Sequence, residues 1–123
     1  MATVSQITAE NASPEVKELF AMVEQMEGMV PVPIQVMANH PAYFKAVLAK
    51  MQAVMGSPEI DMKTKLIVAL AVSTLNNCEY CIKMYTEKLK KNGFTDIQFV
   101  ELMGLLDMVG GMNSFNNGLL IKP

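Results

Sequence analysis

The sequence has no tryptophan, one histidine, His40, and two cysteines, Cys78 and Cys81. A lone histidine with no acidic cluster beside it gives no catalytic triad and no histidine-built metal centre. Two cysteines and one histidine also fall short of the four ligands of a structural zinc site, unless subunits share ligands. Charge of one sign is not in excess: the net charge is −2 and the pI is about 5.3. Lys90-Lys91 is too short a basic run to suggest nucleic acid or anionic lipid. No apolar stretch reaches the length of a membrane span. Residues 1–10 lack the basic-then-apolar order of a secretory signal. No glycine-rich phosphate loop follows a strand pattern. These absences predict a cytoplasmic protein with no bound cofactor, no metal, and no nucleic-acid or membrane partner.

What is present is apolar. Hydrophobic residues make up 51% of the 123 positions and charged residues 18%, and the mean hydropathy is +0.25. That suffices for a core in a single domain over residues 1–123. Because a small domain leaves much surface exposed, part of this apolar content is expected at an interface between copies of the chain. The 12 methionines are scattered over nearly every segment, which suits core and interface packing rather than thioether metal binding.

The punctuation of the chain is helical. Residues 1–12 read as a polar arm. Ser13-Pro14-Glu15 has a capping serine, a proline at the first helical position and a glutamate suited to the dipole. Val16, Leu19, Phe20, Val23 and Met26 then follow helical spacing up to Gly28. Val30-Pro31-Val32-Pro33 reads as a connector before a short turn of helix over 34–38. His40-Pro41 opens the next helix, with His40 at its cap, and Gly56-Ser57-Pro58 closes it. Asp61 caps a helix over 62–75, whose centre, Leu66 to Val72, is apolar on every side. Such a helix is expected to be buried all round, centrally or in an oligomer interface. A helix over 78–91 follows, with i,i+4 pairs Glu79–Lys83, Lys83–Glu87 and Glu87–Lys91 on its solvated face. It ends at Gly93. Thr95 and Gln98 form a capping box for a helix that Gly110-Gly111 is expected to break, leaving a short one over 112–119. The fold class is all-α, with five or six helices.

The chemistry concentrates in Asn76-Asn77-Cys78-Glu79-Tyr80-Cys81-Ile82-Lys83-Met84-Tyr85. Cys78 and Cys81 are three apart and share a face at the first turn of a helix, with Ile82, Tyr85 and Leu89 extending it. Helix-terminal amides favour thiolate, whereas apolar burial opposes it. Three readings compete: a zinc site shared between subunits, a dithiol–disulfide couple, and two small hydrophobes packed in a core. In a reducing compartment the couple is favoured over a structural staple. Ser73 and Thr74 read as hydroxyls bonding backbone at a helix end.

Ala71-Val72-Ser73-x-x-Asn76-x-Cys78-x-Tyr80-Cys81, with Gly93 after the helix, resembles the carboxymuconolactone decarboxylase / AhpD-like alkylhydroperoxidase family. Lys63-x-Lys65-Leu66-Ile67 and the His40-Pro41 helix start fit the same pattern. The resemblance runs from Pro41 to Gly118 and is strongest from Leu66 to Gly93. It implies an AhpD-like helical bundle that assembles as a homo-oligomer, a trimer or hexamer. It also implies thiol–disulfide or peroxide-linked oxidoreductase chemistry, with a small peroxide as substrate and a thiol as electron donor. By the same resemblance, Cys81 attacks peroxide and Cys78 resolves. The redox branch places a histidine where this chain has Tyr85 and a glutamate where it has Leu66, so the proton relay is missing here. A tyrosine at its reference pKa of about 10 is no base at neutral pH, but Tyr85 can donate a hydrogen bond to a thiolate or peroxide oxygen. The other expectations are a non-catalytic oligomeric binding protein of this fold and, below it, a cysteine-independent decarboxylase-like enzyme.

Overall fold

The computed structural model describes residues 3–123; Met1 and Ala2 of the predicted arm lie outside the described residues. Among the described residues there are six α-helices and no strand. The helices are α1 (Pro14–Glu27), α2 (Val32–Met37), α3 (Pro41–Met55), α4 (Met62–Leu75), α5 (Glu79–Lys91) and α6 (Asp96–Gly118). The chain forms two compact units, one ending at Ser57 and the other beginning at Pro58.

In the first unit, the Ser13 hydroxyl accepts the Val16 N–H at the start of α1, and Gly28 closes the helix with a φ of 78°. That left-handed conformation is open to glycine at no steric cost. The buried core is Val16, Leu19, Phe20 and Val23 of α1, Ile34 and Ala38, and Phe44 and Leu48 of α3. The Phe20 and Phe44 rings lie 5.8 Å apart and tilted. His40 caps α3 as expected, its Nδ1 accepting the Tyr43 N–H at 3.2 Å. The polar arm is pinned rather than loose. The Ile7 N–H donates to the Gln35 carbonyl at 3.0 Å, and the Asn39 side chain donates to the Ser5 carbonyl at 2.6 Å. One boundary differs from the sequence reading: Val32 and Pro33 belong to α2. They occupy its first turn, where proline's missing N–H has no helical acceptor to lose.

The second unit carries α4, α5 and α6, and α4 lies against α5. Every predicted cap is in place. The Asp61 carboxylate accepts the Thr64 N–H at 3.0 Å and the Thr64 hydroxyl at 2.6 Å. The Thr95–Gln98 capping box is complete. One expectation is corrected. Gly110-Gly111 does not break the last helix, because neither glycine takes a positive φ and α6 runs on to Gly118. Glycine in a helix interior costs about 1 kcal/mol, which a 23-residue helix absorbs. Within the single chain α4 is covered on one side only, so the interface half of the expectation of all-round burial stays open. Leu66 and Leu70 are buried, but Val68 and Val72 are 56% and 51% exposed.

The Asp61 cap makes stability depend on pH. The Thr64 hydroxyl, and then the Thr64 N–H, hold the carboxyl below its ordinary 3.8. A carboxylate lowered on folding adds stability that is complete above the unfolded value and fades as pH falls through the lowered one. The wild type should therefore lose stability below pH 3.8 more steeply than D61N, which keeps a capping side chain but cannot titrate. Urea melts of both proteins across that range check this, and parallel curves would refute it.

Candidate functional site

The joint between α4 and α5 positions the cysteine pair. At the end of α4, Asn76 is the cap, and Asn77 turns left-handed with a φ of 55°. Asparagine tolerates that conformation better than most side chains. The Asn77 N–H then donates to the Thr74 carbonyl at 3.1 Å, and the Cys78 N–H to the Ser73 carbonyl at 3.0 Å. This is a Schellman termination, and it satisfies two carbonyls the helix leaves open. Cys78 is at once the N-cap of α5, with an extended backbone at φ −88°, ψ 91°. Its carbonyl accepts the Ile82 N–H at 2.9 Å. Cys78 therefore stands just outside the helix rather than in its first turn, and Cys81 is the third helical residue. The structure brings the two sulfurs together across the helix start. Both thiols are free and half-buried.

The pair is electrostatically asymmetric. The Cys81 thiol donates to the Cys78 sulfur, and the Cys81 amide also favours charge there, though not as a side-chain cap hydrogen bond. Together they hold the Cys78 thiol below its ordinary 9.0 against some burial. The Cys81 thiol is pushed up, first because its proton is held by the Cys78 sulfur, then by burial and by the charge on Cys78; the Ser73 hydroxyl opposes the rise. The two thiols titrate as a pair, with the negative charge favoured at Cys78 over Cys81.

Around the pair, Leu89 is fully buried, and Ile82 and Tyr85 are half-buried. Tyr85 lies one turn beyond Cys81 on α5, and the Lys88 ammonium sits 5.9 Å from its ring centre. Leu66 is buried in α4. His40 belongs to the first unit, where it caps α3. Ser73 is buried, and its hydroxyl donates to the Ala69 carbonyl at 2.7 Å; Thr74 makes the same bond to Leu70 at 2.8 Å. Sequence reasoning foresaw those backbone bonds but not that the Ser73 hydroxyl also meets the Cys81 sulfur. No group of three or more histidine, cysteine or acidic side chains poised to hold a metal ion occurs among the described residues.

Comparison with known proteins agrees with this architecture. The model of the carboxymuconolactone decarboxylase family matches residues 41–121. The chain is similar to the alkyl hydroperoxide reductase AhpD of Mycobacteroides abscessus, with 30% identity over 59 residues. That match covers 48% of this chain and 34% of the relative, so the chain spans about a third of that protein's length. It is also similar to the crystal structure of the alkylhydroperoxidase AhpD core from Rhodospirillum rubrum, with 29% identity and a TM-score of 0.91. That similarity covers the whole of this chain and 94% of the other.

Proposed function

The chain belongs to the carboxymuconolactone decarboxylase family, and from that premise we propose that its Cys78–Cys81 pair is an AhpD-like redox dithiol serving thiol–disulfide exchange or slow reduction of small peroxides. The observation that carries this reading is the direct contact of two free thiols of opposite acidity at a helix start. In disulfide exchange the attacking sulfur is Cys78, the more acidic of the two, because exchange proceeds through the thiolate. Toward a hydroperoxide, the family resemblance gives the attack to Cys81. Its sulfur bonds to one peroxide oxygen as the O–O bond breaks, and the alcohol leaves with a proton. Cys78 then displaces hydroxide from the Cys81 sulfenic acid, which leaves as water. The two thiols give up two electrons, the hydroperoxide becomes alcohol and water, and two donor thiols in the reducing cytoplasm restore the dithiol as they become a disulfide themselves.

The absent relay sets the speed. Tyr85 and Leu66 stand where the redox branch has histidine and glutamate, and neither takes a proton at neutral pH. Cys81 reaches its charged form by passing its proton to Cys78, so slow turnover is expected. Mass spectrometry of the reduced protein after one equivalent of hydroperoxide tests the reading. The expected product is a Cys78–Cys81 disulfide within one peptide; an unchanged mass would sink it.

We propose further that the chain works as a homo-oligomer, a trimer or hexamer. The support is α6, of whose 23 residues only Leu102 is buried. Leu105, Met108, Met112, Phe115 and Leu119 are exposed at alternating spacings of three and four, the pattern of a helix seam that meets another helix. That same face would also serve a non-catalytic binding protein of this fold, the reading that stands if the disulfide does not form. No helix among the described residues is long and apolar enough to cross a membrane.

A further inference from the structure

Ser73 is the only buried polar residue among the described residues, and it touches the cysteine pair twice. Its carbonyl accepts the Cys78 N–H at 3.0 Å, the bond that turns the chain from α4 into α5. Its hydroxyl oxygen lies beside the Cys81 sulfur while donating to the Ala69 carbonyl at 2.7 Å. A serine hydroxyl has one proton and two lone pairs and turns freely about its C–O bond. That single proton cannot serve Ala69 and a Cys81 thiolate at once, so its direction depends on the charge of Cys81. While Cys81 is a thiol with its proton turned to Cys78, the hydroxyl points along α4. Its loss would cost the Ala69 carbonyl little, because that oxygen is also a helix backbone acceptor.

We infer that Ser73 is a positioning residue of the cysteine pair: its carbonyl fixes Cys78, and its hydroxyl turns from the Ala69 carbonyl to Cys81 when that sulfur takes the charge. The inference rests on the redox reading for its use, though not for its geometry. It supplies what Tyr85 and Leu66 do not. A hydroxyl does not accept the proton, but it steadies the charge left behind as the proton crosses to Cys78. Hydrogen bonds to charged groups are stronger than those between neutral ones, so the turn favours the thiolate over the bond it gives up. Thr74 provides the internal control. It makes the same bond back along α4, to Leu70 at 2.8 Å.

The test is residue-resolved alkylation of the reduced protein with iodoacetamide across pH, read by fragment-ion mass spectrometry, for wild type, S73A, S73T and T74A. S73A should fold, because alanine is the best helix former and no partner is left unpaired. A thermal melt confirms that. At neutral pH, Cys81 alkylation in S73A is expected to fall roughly three- to tenfold, an upward pKa shift of about half a unit to one unit. S73T, which keeps the hydroxyl, should stay within about twofold of wild type, and T74A should not change. Equal Cys81 rates in S73A and wild type would overturn the inference. So would a loss in T74A as large as in S73A, or a loss in S73T as large as in S73A, since those would reflect the helix end or packing. Disulfide formation by wild type with hydroperoxide is read separately. Its failure sinks the redox reading, whereas unchanged alkylation in S73A sinks only the role of Ser73.

Discussion

Peroxide-driven disulfide formation should fall to background in both C81S and C78S, with the two variants failing in different ways. C78S keeps the sulfur to which attack is assigned and lacks the one that resolves. It should consume one equivalent of hydroperoxide, more slowly than wild type because the Cys78 proton acceptor is gone, and hold the product as a sulfenic acid at Cys81, which dimedone labels. C81S should consume almost none. The reverse result, a sulfenic acid at Cys78 in C81S, would exchange the two roles and make the lower-pKa thiol the attacking one. The loss will not come from unfolding, because neither thiol holds the joint together. The bonds that do are the Cys78 amide to Ser73 and the Cys78 carbonyl to Ile82. Serine is moreover a preferred N-cap residue, so C78S should melt at or slightly above the wild-type temperature.

Placing a charge in the middle of the α6 seam is expected to dissociate the assembly. Met112 is 55% exposed within the chain and stands between Met108 and Phe115 in the stripe. If copies of the chain meet along this seam, M112E buries a carboxylate with no partner. That costs several kcal/mol, and each ~1.4 kcal/mol is tenfold in an equilibrium constant. Assembly should weaken on the order of a hundredfold or more. Sedimentation or light scattering would show the trimer or hexamer of wild type giving way to monomer, with helix content retained. Glu101 precedes the stripe, and E101Q should assemble like wild type. A monomeric wild type at micromolar concentration, or an M112E protein that still assembles, would refute the proposal.

Helix ends were the most legible part of the sequence. Ser13-Pro14, Gly28, His40-Pro41, Asp61, Gly93 and the Thr95–Gln98 box all act where their chemistry says they should. Each satisfies or frees specific backbone groups within a few residues, so local sequence contains the whole interaction. Gly110-Gly111 misled because glycine weakens a helix without forbidding it, and only a positive φ or a proline would have stopped α6. Val32-Pro33 misled because the first turn of a helix makes no use of a proline N–H. The apolar run of α4 was legible only in part. Its pattern says that many faces avoid water, not that one chain covers them all, and Val68 and Val72 remain open.

In the candidate site, the spacing of Cys78 and Cys81 was legible, and so was their place at a helix start. Their asymmetry was not. It depends on which thiol donates to the other and on Cys78 standing one residue outside the helix. The second role of Ser73 was hidden for a similar reason. A serine near a helix end nearly always bonds its own backbone, as Ser73 does, and only packing reveals the sulfur on its other side.

The joint at residue 78 bears on how such a protein changes over generations. Its geometry is written in main-chain atoms, the amide held by Ser73 and the carbonyl by Ile82, and any L-amino acid except proline supplies those. A lineage can therefore exchange the sulfur for another side chain and keep the helical scaffold. Loss of reactivity and loss of architecture are then separate hereditary events, and descendants without the thiols would still inherit the same bend between α4 and α5.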